Sequence, residues 1–292
     1  MVVSVCVSPI HSSSRSLLSH TTLRCRCSPA PQMAPRYAGL MVFQGVGVAL
    51  VTLFDDNGDL DAPATAAHAA RLVELGVRAV VVAGSTGEAA ALSADEREQL
   101  LSAVQATIKG AVPVIAGTGA PSARQAADLT ARARDGGADA VLVLSPPNAV
   151  DPLPYYTVVA DAAGDMPVLA YHFPRVSPPG LAVDTIDTLP VSGCKDSSGD
   201  AQRMLATLEA TSKTLYTGSS ALLTLAGQVG CAGAILALAN VEPEGCIAAF
   251  DGDAGVQRDL TDAHLAAKDR FPLGLKAMVA KRFATSEVSR LG

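Results

Sequence analysis

A lysine closes a short apolar run in the stretch GCKDSSGD, Gly193–Asp200. Burying an ammonium is costly, and desolvation can lower a lysine pKa by roughly 3–5 units. The neutral amine is then a nucleophile able to form an imine with a ketone. The ordinary alternative for Lys195 is a solvated loop lysine, or one paired with Asp196. Tyr171 ends another apolar run, PVLAY. A phenol beside an imine can carry protons; otherwise it is a rim tyrosine packed on its neighbours. The stretch GSTGE, Gly84–Glu88, offers the hydroxyls of Ser85 and Thr86 and consecutive backbone N–H groups. Such a turn can cradle a carboxylate or phosphate, or simply reverse the chain. GTGAPS (117–122) lacks the lysine of a phosphate loop and reads as a turn.

These residues need elements to position them. From residue 45, β-branched apolar runs alternate with stretches of helical period. The expected strands are 45–52, 77–84, 112–119, 138–146, 166–173, 191–197, 213–219 and 232–240. Helices are expected over 63–76, 93–110, 122–137, 153–164, 183–189, 200–212 and 221–230, and from Glu242 onward. Ser93 with Glu96 predicts a capping box on the second of these. The strand runs are apolar throughout, as parallel strands covered on both faces should be. Eight strand–helix units in about 200 residues predict an α/β fold, a (β/α)8 TIM barrel with additional C-terminal helices. A doubly wound open sheet would show a switch point that nothing marks. In a barrel the C-terminal strand ends build the site, and the lysine, the tyrosine and GSTGE all fall there.

Composition narrows the class. Of 292 residues, 49% are hydrophobic and 17% charged, which suits a large core. A net charge of −6 without a Lys/Arg block argues against nucleic acid as a partner. No apolar run is long enough for a membrane span. The six cysteines form no disulfide framework, and the five histidines form no pair with metal-ligand spacing. The expectation is therefore a cytoplasmic protein with no metal. No acid precedes Asp55, whereas Arg15, Arg24, Arg26, Arg36 and many serines do. Residues 1–42 thus form an N-terminal extension with two readings: an organellar targeting segment, or a start that belongs at Met33 or Met41. The barrel is expected over 43–241 and the C-terminal helical region over 242–292.

Six stretches, in order, carry a resemblance: GSTGEAAALSADERE, PVIAGTGA, GADAVLVLSPP, PVLAYHFP, GCKDSSGD and GAILALANVEPE. Together they resemble the dihydrodipicolinate synthase/N-acetylneuraminate lyase family, from about Gly45 to about Phe283. The resemblance implies a (β/α)8 barrel, a homo-oligomer of two or four copies, and class I lyase chemistry on pyruvate or another 2-oxo acid and an aldehyde, without metal or other cofactor. It implies that Lys195 forms the Schiff base and that Tyr171 transfers the proton. Ser85 and Thr86 would hold the 2-oxo acid carboxylate, with Ser85 also in the proton relay. Ile235 would lie by the substrate through its carbonyl, and Gly218 beside the site.

The acceptor side departs from the dihydrodipicolinate synthase pattern. SPPNAV stands where those enzymes carry a second tyrosine, and Arg175 comes one place early, with Val176 at the expected position. The stretch from Tyr171 to Lys195 is also short, and GSSAL replaces the acidic pair of sialic acid lyases. The motifs look closest to the 4-hydroxy-2-oxoglutarate aldolase branch, with an acceptor pocket expected from Pro147, Asn148, His172, Arg175 and Gly218. Arg175 has two readings, a carboxylate ligand or a solvated side chain. The expected activity is a class I aldolase of the 4-hydroxy-2-oxo acid type. The alternatives are 4-hydroxy-tetrahydrodipicolinate synthase, a sugar-acid dehydratase, and a non-catalytic 2-oxo acid binding barrel.

Overall fold

A computed structural model describes residues 41–291. The expected N-terminal extension, 1–42, lies almost wholly outside them. Eight parallel strands close in sequence order: β1 (Gly45–Ala49), β2 (Val80–Val82), β3 (Val114–Gly117), β4 (Ala140–Leu144), β5 (Val168–His172), β6 (Gly193–Asp196), β7 (Thr214–Thr217) and β8 (Gly233–Leu236). Helices α1 (Ala62–Glu74), α2 (Ala94–Ile108), α3 (Ala123–Asp135), α4 (Leu153–Ala163), α5 (Val183–Ile186), α6 (Ala201–Ala210) and α7 (Leu223–Val229) connect them. After β8 come α8 (Pro243–Phe250), α9 (Ala254–Asp259), α10 (Thr261–Lys268) and α11 (Leu273–Phe283). This is the expected (β/α)8 barrel with additional C-terminal helices. None of the described helices is long and apolar enough to cross a membrane.

The strands are shorter than the apolar runs that predicted them. Tilted strands in a closed barrel share hydrogen-bond partners over only a few residues, and the rest of each run continues as loop. Helix starts follow their caps. Ser93 and Glu96 form the predicted capping box on α2. The Asp200 carboxylate accepts from the Gln202 and Arg203 N–H groups and so begins α6 directly after GCKDSSG.

Alternation divides the core in two. Val46, Val48, Val80, Val82, Val141 and Val143 face the helices. Ala49, Val81, Ile115, Leu142, Leu169 and Ile235 fill the barrel interior. Gly233 lets β1 approach β8, because a Cβ there would stand 2.2 Å from the Gly45 carbonyl oxygen. Phe43 plugs the N-terminal end: its ring stacks on Tyr216 at 4.7 Å between centroids. The buried Tyr216 hydroxyl donates to the Phe43 carbonyl at 2.9 Å and accepts from its N–H at 3.3 Å. The floor of the barrel is thus closed and the chemistry is left to the other end.

Removing that hydroxyl leaves both Phe43 backbone groups without a partner. Tyr216→Phe should cost about 1–3 kcal/mol, read as a fall in Tm, while leaving ligand chemistry at the opposite end intact. An unchanged Tm would show that the floor contributes packing alone.

Candidate active site

The site grows from the phase of β6. Cys194 joins the cluster beneath the helices, where burial pushes its thiol up to about 12. Lys195 therefore points into the barrel, in register with Tyr171 on β5. It is only 4% exposed. Asp196, the natural partner by sequence, is turned away from it. Its carboxylate takes a 2.8 Å bond from the Arg203 Nε on α6 and a 2.7 Å bond from the Ser198 N–H. Among the described residues Lys195 has no ion pair. Its Nζ sits 4.2 Å from the centroid of the Tyr171 ring. That cation–π contact favours the ammonium, but burial outweighs it and lowers the pKa from 10.5 to about 7. The reading of a surface lysine, or of one paired with Asp196, does not survive this geometry.

Tyr171 is buried as well, its ring stacked on Phe173 at 5.8 Å. Burial drives its phenol up to about 12 against the opposing pull of the Ser197 and Ser85 hydroxyls. The Ser197 hydroxyl lies 3.5 Å from the phenol oxygen. Gly218 makes room for this cluster. A Cβ there would stand 1.9 Å from Ser197 Oγ and 3.1 Å from Lys195 Cε.

The turn carrying Ser85 and Thr86 is fixed by its last residue. Glu88 has φ 57 and is fully buried. Its carboxylate pairs with the fully buried Lys276 of α11. It also accepts from the Ser289 hydroxyl (2.9 Å) and from the Arg290 and Leu291 N–H groups (2.8 and 3.1 Å). From the other side Thr52 donates to the Gly87 carbonyl at 2.7 Å. The turn is therefore held by β1's exit loop and by the segment after α11 together.

Lys195, Tyr171, Ser85, Thr86, Ile235 and Gly218 line one cavity of about 440 Å³, and Arg175 also reaches its wall. A larger neighbouring cleft, about 780 Å³, contains Pro147 but neither Lys195 nor Tyr171, so the reactive groups belong to the smaller one.

Besides Pro147, two expected acceptor residues fall elsewhere. His172 is out of phase with Tyr171, and its Nδ1 accepts the Leu181 N–H at 2.8 Å. Burial, then the Arg203 charge, hold its pKa down to about 4, so it is a neutral brace for the loop after β5. Asn148 is exposed and tied through its backbone N–H to the Pro178 carbonyl, and it does not line the cavity. Sequence reasoning also missed residues that do line it. Ser197 was within reach, since two places after Lys195 on a strand is the same face. His264, Lys268 and Arg270 carried no such signal, because they arrive from the helices after β8.

Known proteins share this sequence pattern and this fold. Residues 42–255 match the model of the dihydrodipicolinate synthetase family. A DapA-like lyase of Halobacterium salinarum is 39% identical over 227 residues, 74% of each chain. The 4-hydroxy-tetrahydrodipicolinate synthase of Pseudomonas aeruginosa is 35% identical over 232 residues, 75% of this chain and 79% of its own. Dihydrodipicolinate synthase from Thermotoga maritima superposes with a TM-score of 0.80 at 26% identity, over 86% of this chain and 92% of that one. A prophage protein of the same family from E. coli K12, solved in complex with pyruvate, gives 0.79 at 27% identity, over 85% and 91%.

Burial of Lys195 has a testable cost. The folded pKa lies below the unfolded value, so between about 7 and 10.5 the unfolded chain binds the extra proton. Stability therefore rises with pH across that window, and the full cost is present below it. Lys195→Met should stabilise the protein by about 1–3 kcal/mol at pH 7, with the gain shrinking toward pH 10.5. A loss of stability at pH 7 would contradict the assignment. By its sequence match, its barrel and its relatives, the chain belongs to the dihydrodipicolinate synthetase family of lyases.

Proposed function

We propose that the chain is a class I lyase that cleaves or forms the C–C bond between pyruvate and an aldehyde, through a 4-hydroxy-2-oxo acid. The observation carrying this reading is the buried Lys195 amine, without an ion pair and packed on Tyr171, in a cavity that also holds Ser85 and Thr86. At neutral pH much of that amine is unprotonated and able to attack.

In the cleavage direction, Lys195 Nζ adds to the C2 carbonyl and the carbinolamine loses water to give a protonated imine. The Tyr171 phenol gives its proton to the departing carbinolamine hydroxyl, and the phenolate, beside the Ser85 and Ser197 hydroxyls, then takes the proton of the C4 hydroxyl. The C3–C4 bond breaks, its electron pair moves into the iminium, and the aldehyde departs. The resulting enamine is protonated at C3, and water releases pyruvate and the free amine. Ser85, Thr86 and the backbone N–H groups of their turn hold the C1 carboxylate. The imine is the electron sink, so this reading calls on no metal or organic cofactor.

A second reading, 4-hydroxy-tetrahydrodipicolinate synthase, draws on two observations. Arg175 lines the cavity despite its one-place offset, and the Pseudomonas aeruginosa relative bears that name. Against it, Val176 occupies the expected arginine place and lines the same wall, and no tyrosine follows β4 in the expected pattern.

Pyruvate with borohydride should add one reduced pyruvate per chain, at Lys195. Lys195→Arg should abolish the adduct because a guanidinium stays protonated. Trapping should rise with pH and level off above about 7, where the amine is free. Folded protein of unchanged mass would remove the aldolase reading in favour of a binding barrel. EDTA should leave turnover unchanged.

Substrate choice separates the two enzyme readings. A 4-hydroxy-2-oxo acid should be turned over at least about tenfold better in kcat/KM than aspartate semialdehyde with pyruvate. Preference for the semialdehyde, destroyed by Arg175→Ala, would install the synthase reading instead.

A further inference from the structure

The cavity wall opposite in sign to the rest of the protein is the feature that the mechanism leaves unused. The chain carries a net charge of −6. Yet the cavity is lined by Lys195, Arg175, Lys268 and Arg270 and by no Asp or Glu. Lys195 is committed to the imine and the GSTGE turn to the first carboxylate. Lys268 and Arg175 have no ion pair among the described residues. Among the described residues the Arg270 guanidinium has one ion pair, with its exposed neighbour Asp269 at 3.6 Å and both side chains at least 70% exposed, a pair worth little in water. A wall of one sign with unspent cations focuses the field on an anion.

The cations sit on anchored structure. Ser220, after β7, is 7% exposed, and its Oγ lies 2.7 Å from Nδ1 of His264 on α10. Gln257 of α9 donates to the Ser220 carbonyl at 3.0 Å and accepts the Thr224 N–H at 3.1 Å. These bonds fasten α9 and α10 to the exit of β7, so Lys268, at the end of α10, and Arg270, just beyond it, are carried to the cavity mouth. Burial, then the nearby Lys268, keep the His264 imidazole below its usual pKa, so it is neutral near pH 7. In the tautomer where Ser220 donates to Nδ1, its Nε2 carries a proton and is a hydrogen-bond donor.

We infer that His264, Lys268 and Arg270 form a second anion subsite, which selects 2-oxo acids carrying a carboxylate at the end distal to the imine. The inference rests on the aldolase reading for the position of the imine. It assigns distal specificity to α10 and the turn after it, with Arg175 contributing from the loop after β5.

Borohydride trapping tests it without requiring turnover. The half-saturating concentrations of pyruvate, 2-oxoglutarate and 2-oxopentanoate are measured; the last two match in chain length and differ in the distal carboxylate. The unsubstituted chain should trap 2-oxoglutarate at about tenfold lower concentration than 2-oxopentanoate, on the order expected for two to three partly exposed charge contacts. In Lys268→Met/Arg270→Met that ratio should collapse to about twofold, with pyruvate unchanged. His264→Gln should narrow it partially, and Arg175→Met should do so less than the double variant. If the unsubstituted chain traps pyruvate but shows no preference, or if the double variant keeps it, the subsite is wrong while the aldolase reading stands. If pyruvate is not trapped at all, the aldolase reading fails and the subsite with it.

Discussion

Keeping one amine out of water is the constraint on which the rest of the structure depends. Lys195 must lie inside a barrel, buried against apolar side chains and without a carboxylate that would hold its proton. Coulomb attraction from a nearby acid would restore the ammonium, so the adjacent Asp196 has to be occupied elsewhere. Arg203 and the Ser198 N–H do this. Arg203 is available because Asp200 starts α6 three residues before it. The stretch GCKDSSGD thus combines a buried amine, the removal of its competing partner and the cap of the helix that performs the removal. Gly218 and Phe43 serve the same end, one by yielding space next to the lysine, the other by closing the floor below it.

Around that amine the labour divides by rigidity. Strands β5 and β6 hold Tyr171 and Lys195 side by side, where the sheet's hydrogen bonds fix their separation. The turn after β2 carries Ser85 and Thr86 and is less constrained by the sheet, so it is fastened through Glu88. A buried ion pair gains little net stability, because desolvating two charges offsets most of their attraction. Its value here is geometric: Glu88 and Lys276 satisfy each other only when the turn and α11 are in register. The helices after β8 then do more than cover the barrel. They secure the turn from one side and bring His264, Lys268 and Arg270 to the cavity from another.

Such an arrangement separates chemistry from selection. Lys195, Tyr171, Ser85 and Thr86 come from strand ends and their first turns. The groups at the mouth come from loops and from helices outside the eight-fold repeat. Under the proposed function, changes at the mouth can alter which aldehyde or acid is accepted while leaving Lys195 and Tyr171 untouched, which is how one barrel supports many substrates.

The barrel and its polar strand ends can be read from local sequence. Apolar runs at regular spacing allow little but parallel strands covered by helices, and a period of two fixes which of Cys194 and Lys195 points inward. Lys195 and Tyr171 fall at strand ends and Ser85 and Thr86 in the turn after β2, and the roles expected of all four came from the family resemblance; Ser197 follows from the alternation that points Lys195 inward. The outer site was not legible in this way. His172 was expected in the acceptor pocket, yet the alternation that turns Tyr171 inward turns His172 out, where Leu181 claims its Nδ1. Asn148 sits on a loop whose path is set by contacts with the Pro178 segment rather than by any local period. Glu88's partners lie about 190–200 residues away along the chain. His264, Lys268 and Arg270 reach the cavity only because α9 and α10 dock on the exit of β7. Periodicity reports which face of an element is buried; the docking of distant elements, and so the charge at the cavity mouth, is decided by tertiary packing alone.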